Sequence, residues 1–560
     1  RAPAYPLVTI DPYTNAWSFG DNLYDSSLKH WTGQDFPLIG VVKVDGVPYR
    51  FMGIEDYDPM MSTNGDVPGL STEGDSMSYF TQTARQLSVD VQPTRTIYQF
   101  VCGPVQLDLT FIAPLLMDDL ELVARPVNYL SYEMKTDDGQ MHNVELYIEV
   151  SPHWAMNLSN QSSVSETFTK DGFVFLKSGT KQQNILGTKG DDVRIDWGYF
   201  YLGTDRHNTL AAVGNRNTLR ENFLKGNTDF YASAANTKGE NQRMALVCSL
   251  GTIRKSEGRF LIGYDDIFSI QYFGENLRPY WNRKGTETIL SQFHKANSDY
   301  EKLMKKCIAF DYQLMKEATE AGGRRYAELC ALAYRQAISA HKLVEAPNGD
   351  LLFLSKENSS NGSIGTVDIT YPSAPLFLLY NPELVKGMLN PIFYYSESGR
   401  WTKPFAAHDV GTYPLANGET YVGEMPIEES GNILILTASI AAVEGNTDYA
   451  RRHWKTLTAW ADYLLYNGLD PANQLCTDDF AGHLAHNANL SIKAILGVAS
   501  YGYLAGKLGY KEQSESYIQK AKEMALEWVK MADDGDHYKL AFDKPGTWSQ
   551  KYNLVWDKLM

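Results

Sequence analysis

The apolar pattern of this chain changes its period once, near residue 285, and that change restricts it to two unlike halves. Before the change, apolar and polar residues alternate. Val144, Leu146, Ile148 and Val150 interleave with Glu145, Tyr147 and Glu149, the period-2 signature of a half-buried strand. Residues 95–101 and 105–111 form two β-rich runs, and Cys102-Gly103-Pro104 between them reads as a hairpin turn. Such runs recur to about residue 265 and predict an antiparallel β-sandwich.

After the change the spacing is helical. Leu290, Phe293, Tyr300, Leu303, Met304 and Cys307 lie on one helical face, and Ala321-Gly322-Gly323 breaks the pattern. Further helices are predicted at about 324–344, 382–397, 428–444, 447–467, 484–508 and 511–532. Pro426 opens the third with Glu428 and Glu429 in its first turn, where the helix dipole favours carboxylates. Gly445-Asn446 ends it, and Thr447 or Asp448 caps the next. Long polar connections precede the third and fifth helices and short ones the fourth and sixth, as in stacked helical hairpins whose long loops gather at one end. The expected fold class is multidomain β + α: a sandwich over residues 1–285, a helical linker over 286–322, and an (α/α)6-toroid-type helical-hairpin domain over 323–560. Six helices fall short of six hairpins, and the polar-aromatic run 548–557 does not read as a tail. The toroid is therefore expected to be incomplete at the C-terminus, with a further segment completing it.

Several classes are disfavoured. A net charge of −16 without a basic block argues against nucleic acid and anionic membranes as partners. No apolar run is long enough to predict a membrane span. The five cysteines are dispersed, odd in number and lack a C-x-x-C, so neither a disulfide framework nor a cysteine zinc cluster is expected. Phosphate-loop and dinucleotide motifs are missing. The opening Arg1-Ala2-Pro3-Ala4-Tyr5-Pro6 is compatible with a mature end left by signal-peptide removal.

Chemistry-bearing residues concentrate between Phe405 and Asn487. His408-Asp409-Val410-Gly411-Thr412-Tyr413-Pro414, Glu428-Glu429-Ser430-Gly431-Asn432 and Thr477-Asp478-Asp479-Phe480-Ala481-Gly482-His483 each set carboxylates, histidines or amides beside Gly or Pro at loop-to-helix junctions. This predicts one pocket lined from several directions. These three runs, with 6–13, 17–18, 30–33, 49–53, 264–267, 269–273, 355–358 and 365–368, resemble the glutaminase A-type family of bacteria and fungi over nearly the whole chain, and a bacterial member is expected. The resemblance implies a β-sandwich joined to a six-hairpin toroid like that of glycosidases, a secreted or periplasmic location, and hydrolysis of L-glutamine to glutamate and ammonia.

Amide hydrolysis needs an activated nucleophile, a proton for the departing ammonia and stabilisation of the oxyanion. Gly-x-Ser-x-Gly is missing and the chain does not start with Thr, Ser or Cys, which leaves water activated by paired carboxylates. The catalytic candidates are Asp409, Glu429 and Asp479. His408, Tyr413, Glu428, Asn432, Asp478, His483, His486, Lys356 and Asp368 are candidates for binding substrate. Adjacent helical residues diverge by about 100°, so one of Glu428 and Glu429 is expected to face the pocket. Glu429 is preferred because Asn432 lies three residues on. His483 and His486 are spaced to share a metal, but zinc needs a third ligand, so no metal ligand is assigned. No cofactor is firmly expected; Ca2+ is the open option, given the Asp-rich loops. An inverting glycosidase on a saccharide is the alternative to an amidohydrolase on glutamine, and a ligand-binding protein without turnover is the third reading.

Overall fold

A computed structural model describes residues 2–55, 78–234, 236–477 and 482–559. The chain divides into two compact units. The first comprises residues 1–188, 192–268 and 278–340, the second 189–191, 269–277 and 341–560.

The first unit is built on two open antiparallel sheets. The larger has nine strands, from Lys238–Glu240 at one edge through Ser163–Lys170, Phe173–Thr180, Tyr199–Thr204, Lys255–Asp265, Val127–Thr136, Val105–Ile112 and Arg95–Cys102 to Arg85–Val91. The smaller runs in the order Thr209–Gly214, Arg243–Ile253, His142–Val150, Leu38–Val44, Val47–Met52. The hairpin expected around Cys102-Gly103-Pro104 is present, with Cys102 opposite Val105 and Gly103 at φ 60°. His142–Val150 departs from the expected alternation, because Tyr147 and Glu149 are buried too. A helix at Arg216–Leu224 covers that face: Tyr147 stacks on Phe223 at 4.7 Å, and Arg220 donates to Glu149 at 2.7 and 2.9 Å.

Helix α1 (Ile289–Gly322) opens with a Thr288–Ser291 capping box and lays Phe293, Ala296, Leu303 and Cys307 on the larger sheet. Helix α2 (Arg324–Ser339) follows and clusters with the first unit, so the compact units divide near residue 340. The cause is burial: Arg335 donates to Thr9 Oγ1 at 3.1 Å, and the Tyr334 hydroxyl donates to the Leu115 carbonyl. The chain then forms a β-hairpin, His341–Glu345 with Leu351–Ser355, where helix was expected to run on to 344.

The second unit contains α3 (Val367–Tyr380), α4 (Pro382–Glu397), α5 (Pro426–Glu444), α6 (Trp454–Asn467), α7 (Ala488–Leu508) and α8 (Lys511–Ala532). Helices α3, α5 and α7 pack side by side, and α4, α6 and α8 cover them, which is the helical-hairpin arrangement expected from the loop lengths. Nearly every residue of α5 and the first half of α7 is buried, as befits inner helices apolar all round. Helix α3 was not anticipated, because Pro372 and Pro375 lie inside it. Neither proline can donate a backbone hydrogen bond, so the Asp368 and Tyr371 carbonyls lose their partners four residues on. The region expected as one helix over 447–467 is broken at His453, which stacks on Phe393 at 3.9 Å and pairs with Glu397 at 2.9 Å. Among the described residues no helix is long and apolar enough to cross a membrane.

Candidate active site

The N-terminal ends of the three inner helices carry the polar cluster of the second unit. Asp368 lies in the first turn of α3 and Glu428 and Glu429 in the first turn of α5. Asn487 caps α7 by accepting from the amides of Asn489 and Leu490, and Lys493 follows a turn later. Carboxylates gain from the partial positive charge at such helix starts.

Asp368, His408 and Glu429 come together. One ligand-type atom of each lies within 4.8 Å of the other two, and His408 Nε2 is 3.6 Å from Asp368 Oδ1. Asp409 faces the other side of the imidazole, with Oδ2 2.8 Å from Nδ1. Asp409 also accepts from the amides of Gly411 (2.8 Å), Thr420 (3.0 Å) and Tyr421 (3.2 Å) and is fully buried. Its lone pairs are thus spent on holding the loop and the histidine. The Tyr421 ring stacks on His408 at 4.2 Å, and the His408 amide donates to Glu419 at 2.7 Å.

Both adjacent glutamates are buried, and each has a separate task. Asn432 reaches back one turn and donates from Nδ2 to Glu428 Oε1 (3.2 Å) and Glu429 Oε2 (3.1 Å). Lys493 Nζ and the Thr477 hydroxyl donate to Glu428 Oε1, so Glu428 is the counter-ion of a fully buried lysine. Lys493 also sits 3.9 Å above the Tyr371 ring. Tyr371 stacks on Trp556 at 5.1 Å and donates its hydroxyl to Asn553 Oδ1 at 2.9 Å. Buried acceptor oxygens without a hydrogen-bond partner remain on Asp368 (Oδ1), Glu428 (Oε2), Glu429 (Oε1) and Asn432 (Oδ1).

The electrostatics follow from burial and crowding. Burial pushes the Asp368 carboxyl up to about 7, with His408 opposing and Glu428 adding to the rise. Burial, then Asp368 and Glu428, hold Glu429 well above the usual carboxylate range. Burial pulls His408 down, but the bond to Asp409 and the charges of Asp368 and Asp409 outweigh it, and its net shift is upward. Cluster atoms of this kind can share protons or hold a cation.

Other expected site residues lie apart from the triangle in bonding. Lys356 is buried and donates to the Asp191 carbonyl at 2.6 Å, with Asp191 Oδ1 at 3.9 Å. Tyr413 is buried, its backbone bonded to Gly362 (2.9 Å) and Gly190 (3.3 Å). His483 is exposed, and His486 pairs with Asp470 at 2.7 Å at the surface, so these two histidines do not form a shared centre. Asp478 and Asp479 lie outside the described residues. Lys493 and Tyr371 went unnoticed in the sequence. A mid-helix lysine and a tyrosine beside two prolines carry no local signal; Gly431, which faces Lys493, is the trace they leave. A Cβ on Gly431 would meet Lys493 Cγ at 2.6 Å, and Gly497 lies 3.3 Å from the Gly431 backbone by the same measure. A groove of about 870 Å³ on the first unit shows no such convergence, since Arg95 is spent on Asp311 (2.7 Å), Glu133 on Lys255 (3.0 Å) and Arg259 on Asn297 (2.8 Å).

A sandwich followed by inner and outer helices paired into hairpins, with carboxylates at the inner helix starts, defines a sandwich-plus-helical-hairpin fold. A bacterial glucoamylase complexed with acarbose has this fold at TM-score 0.50 and 11% identity, over 97% of this chain and 70% of that one. Residues 323–560 match the glutaminase A six helical-hairpin domain, and residues 94–317 and 1–62 match two domains of unknown function. Glutaminase A of Aspergillus oryzae is 28% identical over 587 residues, covering all of this chain and 81% of that protein. A probable glutaminase of Arthroderma benhamiae is 24% identical over 658 residues, covering 99% of this chain and 73% of that protein. The chain is thus similar along its length to these two proteins, and its residues 323–560 are similar to the glutaminase A six helical-hairpin domain.

Proposed function

We propose that this protein is a hydrolase that releases ammonia from the side-chain amide of L-glutamine, using water activated within the Asp368–His408–Glu429 triangle. The observation that carries this reading is the convergence of three titratable groups within 4.8 Å, with unpartnered oxygens on Asp368 and Glu429. Water bound there meets one carboxylate as base. His408, its imidazole held by Asp409, orients the site, and the proton taken from the water passes to the departing ammonia. Asp409 acts through His408 and Asn432 through Glu429, so both are positioning residues. The names of the two glutaminase relatives support glutamine as substrate.

An inverting glycosidase stands as the alternative, since a bacterial glucoamylase shares the fold. Ammonia release from L-glutamine, assayed beside reducing-sugar release from a glycan panel, tests the choice. Ammonia is expected, falling roughly 10²–10⁴-fold in Asp368→Asn, Glu429→Gln and His408→Asn. Sugar release without ammonia would overturn the reading. A secreted or periplasmic location belongs to the same proposal, and fractionation of the source cells tests it.

A further inference from the structure

We infer that Asp368, His408 and Glu429 bind a divalent cation of the zinc class, which, on the amidase reading above, carries the attacking water. Three independent features of the cluster lead there.

The first is hydrogen bookkeeping. Asp409, already accepting three backbone amides, faces His408 Nδ1 at 2.8 Å. Nδ1 is thus engaged with Asp409, and Nε2 is the ring atom that faces the triangle. That nitrogen faces Asp368 Oδ1 across 3.6 Å, and Oδ1 has no hydrogen-bond partner. Glu429 Oε1 is likewise unpartnered, on a side chain with 0% exposure. These buried atoms converge without a hydrogen bond among them, and one cation would satisfy them together.

The second is geometry. Ligands about 2.0–2.2 Å from a tetrahedral ion stand roughly 3.3–3.6 Å apart. The Nε2–Oδ1 pair, at 3.6 Å, meets this as it stands, and the remaining pairs, which lie within 4.8 Å, reach it by side-chain rotation toward the ion.

The third is the surrounding support. A metal-bound histidine commonly gives its other nitrogen to a carboxylate, and ligating carboxylates are themselves hydrogen-bonded. Asp409 does the first for His408, and Asn432 does the second by donating to Glu429 Oε2, which leaves Oε1 free. One imidazole and two carboxylates suit zinc and its neighbours, whereas calcium takes six to eight oxygens. Three protein ligands with an open position for water are the set found in hydrolytic zinc sites. On this inference the ligand set comes from α3, α5 and the loop at His408, and not from His483 and His486.

The test uses the full chain without a histidine tag, stripped with dipicolinate and then titrated with ZnCl2 or CaCl2. Metal content, calorimetry and melting temperature are the readouts. One zinc per chain and a raised melting temperature are expected. Both should be lost in Asp368→Asn and Glu429→Gln and kept in His207→Asn, an exposed histidine. Because the two ligand variants change charge at constant size, their folding is checked by circular dichroism, and His408→Gln supplies a third removal. A folded wild-type chain that neither binds nor is stabilised by zinc overturns the inference, and undiminished ammonia release after stripping would leave the amidase reading standing without it. Stabilisation by calcium alone overturns the choice of ion. Stoichiometric zinc without ammonia release upholds the metal site and sinks the amidase reading instead.

Discussion

Asp409 Oδ2 lies 2.8 Å from His408 Nδ1, while the remaining capacity of the carboxylate is taken by three backbone amides. Ring and loop are therefore fixed by one buried group. Asp409→Asn puts an amide N–H where an acceptor is required, either toward the ring or toward the loop. Loss of about 1–3 kcal/mol in urea unfolding is expected, together with zinc affinity weaker by roughly 10–100-fold. A variant with wild-type stability and unchanged zinc binding would count against this role.

Lys493 and Glu428 form an ion pair with both side chains at 0% exposure. Removing one charge leaves the other buried alone. Lys493→Met is expected to cost about 3–5 kcal/mol, and the double variant Lys493→Met/Glu428→Gln substantially less. A double-mutant cycle by denaturant unfolding measures the coupling; additive losses would contradict it.

Gly431 gives Lys493 its path between α5 and α7, since an added Cβ would meet Lys493 Cγ at 2.6 Å and Cδ at 3.2 Å. Gly431→Ala should displace the ammonium from Glu428 and cost about 1–3 kcal/mol. Ammonia release should fall with it, whereas Gly535→Ala, at an exposed turn with φ 86°, is expected to alter stability alone. Equal ammonia release by wild type and Gly431→Ala would refute the link.

In the first unit, His142 bonds Asp45 (2.5 Å) and Asp138 (3.0 Å), which raises its pKa above 6.5, the Asp45 bond contributing most. A raised histidine stabilises the folded state fully below its unfolded pKa and loses that contribution as pH rises through the folded value. Asp45 and Asp138 are lowered from 3.8, so their share is present above that pH and disappears in acid. The melting-temperature deficit of His142→Gln should accordingly be larger at about pH 6 than at about pH 9. A deficit independent of pH would exclude this charge linkage.

Legibility in the sequence followed the reach of the forces involved. Helix α5 was read closely because its signals are local: Pro426 at the start, two glutamates in the first turn, and Gly445 at φ 71° closing it. The hairpin at Gly103 was equally local. Helix α3 was hidden because Pro372 and Pro375 oppose it, and burial between its neighbours overrides their cost. Asp368 thus falls outside every predicted helix, although it lies in a helix start. Glu149 was read as solvent-facing because nothing beside it announces Arg220, 71 residues away, as its partner. The same limit concealed Lys493, whose counter-ion lies 65 residues earlier. The choice between Glu428 and Glu429 was posed too narrowly, because Asn432 draws both inward.

The Tyr371 hydroxyl and Asn553 are 182 residues apart, and Trp556 closes over the same ring. A ribosome adding about 5–20 residues per second needs roughly 9–36 s to deliver the second partner after the first. For that interval the aromatic floor beneath Lys493 has no lid, and an inner helix bearing two prolines waits for a contact that nascent chain has yet to supply. Biogenesis of the site is thus tied to the order of synthesis: ribosome pauses between the codons for Tyr371 and Asn553 would prolong exposure of this surface to chaperones and proteases.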